Sequence, residues 1–313
     1  MSTTILISLA WFVSAVDAPA APPPDALPEE LSSLSQLWGD EEKLIQGVRQ
    51  FDLIQQALAD WDKKLATEHR MAGDVELAQE KRAQAKHRLD VIRTAYEEVL
   101  KRYPKDGRAR VYLGELYYDR FGDTARGVNL WEEALSLDPK LHEAMNDLAI
   151  HYSHVGEVDK SLECFDRALK LAPDNADYLF NVTQIYLIHW PDVQKHYGWT
   201  KEQTYRKAMV YSQHAAELRP DDYPLLADYA LNFFRGEQMG IPVTWGDAAA
   251  AWQKAREYVR NKDELFYTWL NEGRVWIRAG QKPKAVACIQ EALKLFPDSK
   301  VAQNLLSENK SGG

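Results

Sequence analysis

An all-α protein is expected from three features of this 313-residue sequence. Apolar residues recur at helical spacing from Asp40 onward, prolines end helical stretches at a fixed period, and glycines punctuate the turns between them. With 45% hydrophobic and 27% charged residues, the chain can bury a sizeable core. Its formal charge of −9 argues against a general nucleic-acid binder, which carries a basic surplus.

Residues 5–16 (ILISLAWFVSAV) form an apolar run of twelve. A membrane-crossing helix needs about twenty residues, whereas the core of a signal peptide needs only about 7–15. Ala18-Pro19-Ala20 fits the small-x-small cleavage pattern. Residues 1–20 are therefore expected to be a signal peptide, with Ala21 the first mature residue and the product exported, either periplasmic or secreted. No Lys or Arg follows Met1, which leaves open an uncleaved membrane tether or an apolar N-terminus without function. Residues 21–39, rich in proline as far as Pro28, are expected to be an extended linker.

Over residues 40–88 a long helical hairpin is expected. Gly47, Phe51, Ile54, Leu58, Trp61 and Leu65 are spaced alternately by four and three residues. After a break at Gly73-Asp74, the same alternation resumes in Ala78, Arg82, Ala85, Leu89, Ile92, Tyr96, Val99 and Tyr103. Each set makes one stripe on a helix, and the two helices can fold back on each other. Residues 81–110 hold ten Lys/Arg against four Asp/Glu, which is usually a solvated face and otherwise a site for an acidic partner.

Self-similarity follows. Pro104, Pro139, Pro173 and Pro297 close the related stretches VLKRYPKD, ALSLDPKL, ALKLAPDN and ALKLFPDS, with Pro220 in AAELRPDD a fifth. Successive prolines lie 35 and then 34 residues apart. Leu148, Ala149 and Tyr152 precede Gly156, and Ser161, Phe165 and Ala168 follow it. Leu113, Gly114, Tyr117, Gly122, Trp131 and Ala134 repeat that order, as do Trp269, Gly273, Trp276, Gly280, Ala285 and Ala292. The pattern resembles the tetratricopeptide repeat, a helix-turn-helix of about 34 residues. The resemblance covers about residues 89–298 and implies a right-handed α-solenoid of about five helix pairs behind the hairpin. Insertions near 189–203 and 236–244 interrupt two links on one edge, which should bring Trp190, Tyr197, Trp199 and Trp245 together. Residues 299–313 are expected to form a capping helix and tail.

Catalytic motifs are absent from the sequence: no G-x-S-x-G, P-loop, G-x-G-x-x-G or H-E-x-x-H. His151 with His154, or His189 with His196 around Asp192, could supply two metal ligands but not the three or four a site needs. No catalytic residue, metal or cofactor is expected. Cys164 and Cys288, three repeats apart, should be buried and unpaired.

By resemblance, the first helix of each pair lines a concave face. Its C-terminal half is apolar beside three arginines, and the expected partner-binding residues are Asn146, Phe180, Gln184, Ile188, Leu231, Phe234, Arg235, Arg274 and Arg278. The expected function is a non-catalytic scaffold gripping a peptide or helical segment of another protein, with apolar and acidic residues. Nucleic acid is not an expected partner, and a membrane is one only through an uncleaved N-terminus. Two alternatives remain, an enzyme (metal-dependent in one form) with its site at the insertions, and a self-assembling structural protein. A signal peptide predicts that intact-mass analysis of protein from its native host gives a chain starting near Ala21; retention of Met1 and Ser2 rules it out.

Overall fold

Several helices begin where the sequence supplies an acceptor for their first free N–H groups. The Asp40, Asp106, Asp123, Asn175 and Asn261 side chains each accept from a backbone N–H two or three residues on, and Thr200 with Gln203 forms a reciprocal capping box. The computed structural model describes residues 37 and 39–310, so the apolar run and most of the linker lie outside the described residues. Among the described residues there are fourteen α-helices and no strand. None is long and apolar enough to cross a membrane. Two compact units divide between His151 and Tyr152.

The first unit holds α1 (Glu41–Met71), α2 (Val75–Arg102), α3 (Gly107–Glu115), α4 (Thr124–Leu137) and the start of α5 (His142–His154). The hairpin forms as expected, with Phe51, Leu58, Ala78, Ala85, Leu89, Ile92, Tyr96 and Val99 of the two stripes buried, but its seam departs from them at several positions. Trp61 is 45% exposed and Arg82 is exposed, while Asp52, Gln55, Asp62 and Arg88 are buried. Arg88 donates to Asp62 Oδ2 (2.8 Å) and to Gln55 Oε1 (3.1 Å), and the Tyr96 hydroxyl donates to Asp52 Oδ2 (2.8 Å). The contacts run antiparallel, position 52 meeting 96 and 62 meeting 88. Mutual pairing offsets the desolvation of these groups, so the buried face includes positions that a count of apolar residues passes over. The basic stretch 81–110 is consumed in part: Arg88 is inside, Arg108 bonds Glu42 at 2.7 Å, and Arg110 bonds Glu133 at 3.2 Å.

In the first pair, α3 and α4 cross at glycine. A Cβ on Gly114 would come within 2.6 Å of the Trp131 indole nitrogen, and one on Gly127 within 3.0 Å of the Gly114 carbonyl oxygen. That proximity lets Trp131 donate to the Val111 carbonyl at 3.2 Å.

After Glu115, α3 continues as a π-helical segment, Leu116–Phe121. The sequence explains it. From the small residue to the left-handed turn glycine is eight residues in this pair (Gly114 to Gly122) but seven in the others (Ala149 to Gly156, Gly273 to Gly280). From that glycine to the closing proline is seventeen in all three. The 35-residue spacing thus carries one extra residue, and a wider helical turn absorbs it.

The second unit completes α5 and holds α6 (Val158–Leu171), α7 (Ala176–Ile188), α8 (Trp190–Tyr197), α9 (Lys201–Leu218), α10 (Tyr223–Gln238), α11 (Trp245–Arg256), α12 (Lys262–Arg278), α13 (Lys282–Leu295) and α14 (Lys300–Lys310). The last is the expected cap; its Ala302 is buried with Leu270, Ile289 and Ala292. The first insertion contains a helix, α8, and α10 runs three residues into the second, to Gln238. Tyr197 stacks on Trp199 with centroids 4.2 Å apart, both meet Tyr186 edge-on, and the Tyr197 hydroxyl donates to Asp166 at 2.9 Å. Trp245 packs instead against Phe234 at 5.7 Å. The insertions do touch, through Lys201 Nζ donating to the Met239 carbonyl (2.7 Å), and the aromatics divide between two anchorages rather than forming one cluster. Both cysteines are free, yet only Cys288 is buried; Cys164, between exposed Glu163 and buried Phe165, is half-buried. Burial pushes the Cys288 thiol up to about 12.

Removing one partner of the Asp62–Arg88 pair strands a buried charge. Asp62→Ala is expected to lower unfolding free energy by about 3–5 kcal/mol in urea titrations, while Asp62→Leu combined with Arg88→Met stays near wild type.

Candidate functional site

In the first unit, the face of α3 and α5 is acidic. Arg49 contacts Glu115 at 2.9 Å and lies 4.2 Å from the Tyr112 ring centroid. Burial pushes the Glu115 carboxyl up to about 7 against the pull of Arg49, and the charges of Asp52 and Asp119 push the same way as burial. Burial also holds the Asp147 carboxyl well above the usual range, and the charge of Glu115 adds to the effect. Asn146, 8% exposed, donates to Asp147 Oδ1 at 3.2 Å, while Oδ2 has no partner. Asn146 therefore belongs to this acidic face of the first unit and turns its amide inward. The eight other expected partner residues lie in the second unit.

There, α7, α10 and α12 each contribute one face. Phe180 packs half-buried on Ala176, Leu179, Ala215 and Leu225. Gln184 does not face a partner freely; its amide donates to Asp228 Oδ1 at 2.9 Å. Ser212 (3.2 Å) and Asn232 (2.9 Å) donate to the other oxygen of that carboxylate, which burial raises to about 6 while Arg235 draws it back. Ile188 is 45% exposed. Leu231 and Phe234 are half-buried against the core around Trp252. Phe234 is also covered: the Arg278 guanidinium lies 4.9 Å from its centroid and 5.7 Å from that of Trp245, and Arg278 Nε donates to Glu237 at 2.6 Å.

Arg235 and Arg274 differ from Arg278. Among the described residues, neither has a carboxylate at ion-pair distance, and Arg274 donates to the neutral Asn271 Oδ1 at 3.0 Å. Behind this face, Glu272 (3% exposed) is paired with Arg256 and accepts from Gln253 (2.6 Å) and Trp276 (3.0 Å). The expected residues are thus brought onto one unit, Asn146 excepted, but Gln184, Phe234 and Arg278 are engaged within the chain.

Three polar residues escaped the pattern read from the sequence: Asp147, Asp228 and Asn271. Each lies two residues before the small packing residue of its helix, Ala149, Ala230 and Gly273, and that fixed offset is the signal that would have found them. His196 pairs with Asp159 at 2.9 Å, and no group of three His, Cys, Asp or Glu side chains among the described residues is placed to hold a metal ion.

Helix pairs closed on a small residue, turned by a left-handed glycine and stopped by proline define a helical-repeat protein. Tetratricopeptide repeat family models match residues 142–175 and 266–299, and a further tetratricopeptide repeat model matches 70–142. The Hsp70-Hsp90 organizing protein of Triticum aestivum is 32% identical over 130 residues, covering 41% of this chain and 20% of that protein. The human protein O-mannosyl-transferase TMTC1 is 24% identical over 222 residues, covering 64% of this chain and 24% of that protein. The chain thus spans about a fifth to a quarter of these relatives. Among solved structures, YrrB, described as a TPR protein with an unusual peptide-binding site, superposes with a TM-score of 0.52 at 16% identity, covering 67% of this chain and 96% of that one. The C-terminal part of a TPR repeat-containing protein from Cytophaga hutchinsonii gives 0.52 at 14% identity, covering 88% and 98%. The matched stretches of the chain are tetratricopeptide repeats.

Because Asp147 and Glu115 hold their protons more tightly folded than unfolded, they weaken the fold as pH rises through the folded pKa. Asp147→Asn is expected to raise the melting temperature at pH 8 and to change it little at pH 4, where both forms are neutral. Equal effects at both pH values would count against this.

Proposed function

We propose that this protein is a non-catalytic scaffold that holds a segment of another protein on the first-helix faces of its second unit. The observation that carries the reading is the pairing of half-buried apolar side chains with arginines left without carboxylate partners. Leu231, with Phe180 and Ile188, offers apolar contacts, and Arg235 and Arg274 offer charge to a segment bearing apolar and acidic residues. Partner-binding surfaces often combine such anchors with arginine. The repeat family and the likeness to part of an Hsp70-Hsp90 organizing protein support a protein partner. A net charge of −9 disfavours nucleic acid. Export is proposed on the strength of residues 5–16 and Ala18-Pro19-Ala20.

Panning a random peptide library displayed on phage against the full chain tests this. Enriched peptides are expected to share apolar and acidic positions. Ile188→Glu is expected to cost about 1–3 kcal/mol of affinity for them, while changing stability by no more than about 0.5 kcal/mol. No shared motif, or unaltered binding by the variant, would overturn the reading.

A further inference from the structure

The three arginines of the second unit are not equivalent. Arg278 is held by Glu237 and lies over two aromatic rings. Arg235 acts on Asp228, whose carboxylate already accepts three hydrogen bonds. Arg274 has neither arrangement. Its Nη1 donates to Asn271 Oδ1 at 3.0 Å, and that neutral bond fixes the plane of the guanidinium without cancelling its charge. Asn271 is 1% exposed, and its Nδ2 has no hydrogen-bond partner, a cost that native interiors rarely leave standing.

We infer that Arg274, oriented by Asn271, is a seat for a side-chain carboxylate, from an Asp or Glu inside the partner segment. The inference rests on the reading of this face as a partner-binding surface. A guanidinium presents two parallel N–H bonds to a carboxylate along its edge, and with Nη1 committed to Asn271 the Nε and Nη2 edge stays available. Lysine could not be oriented in this way. Tyr267 and Arg278 lie on the same helical face, two turns before and one turn after Arg274. A segment laid along this helix past Tyr267 and Arg278 would present an internal acidic residue rather than a terminus. Burial makes the charged form of Arg274 harder to keep, and the like charge of Arg278 adds to this. A carboxylate ligand relieves both.

The structure also supplies its own competitor. Asn271→Asp places a carboxylate at the Oδ1 position, 3.0 Å from Nη1, and neutralises the guanidinium from within. Peptides enriched from the displayed library on wild type are titrated against Asn271→Asp and Arg274→Gln, with melting temperatures measured alongside. Expected is a loss of about ten- to a hundredfold in affinity for both variants. Peptides whose acidic residue is replaced by its amide should bind wild type and both variants equally weakly, and Asn271→Asp should melt no lower than wild type. Undiminished binding to both variants overturns the seat while leaving the groove in place. A preference of wild type for phosphoserine, or for a C-terminal carboxylate, over internal Asp or Glu overturns the assigned ligand. Absence of any apolar and acidic motif on wild type overturns the groove and the seat together.

Discussion

Close approach of two helices at one small residue is the constraint on which this architecture depends. Gly114 lies against Trp131 and Gly127, and Gly273 against Ile289, so tightly that an added Cβ would come within 3 Å of the opposing side chain. Everything else in a pair is placed relative to that crossing. The aromatic residues fill the wedges on either side, the left-handed glycine returns the chain, and the proline ends the second helix beyond the contact. A first helix so clamped has only one surface left for other purposes, and the polar residues two positions before the crossing lie along it.

The hairpin is built on a different principle. Its two long helices have no glycine crossing and instead share a buried set of charges and amides, with Arg88 serving Asp62 and Gln55, and Tyr96 serving Asp52. Apolar faces alone would tolerate a slip of one helix along the other. A slip of even one turn here would leave several buried polar groups unsatisfied, so the network fixes the register as much as it contributes to stability.

Periodicity made the repeats legible because the same few residue types recur at the same spacing wherever helices must touch. It also located the first helices, the turns and the capping helix. The hairpin seam was less legible, because Asp52, Gln55, Asp62 and Arg88 are interior residues of polar type, and their burial depends on partners distant in sequence. The site was legible as a set of positions and not as a set of free groups. Phe234 and Arg278 face as the repeat phase requires, yet Trp245 and Glu237 occupy them, and no local pattern announces that. Asn271 passed unnoticed for the converse reason: it resembles an ordinary surface amide until its burial is known.

The single extra residue of the first repeat has a geometric consequence. An insertion in a loop would have shifted everything after it along the chain direction. Here Gly114 and Gly122 stay at their two stations, and the surplus is taken up as rotation between them. One residue of an α-helix corresponds to about 100° of turn. Tyr118 and Asp119, inside the wider turn, are therefore rotated about the helix axis relative to where a seven-residue spacing would put them. The change alters what one short arc of the helix displays.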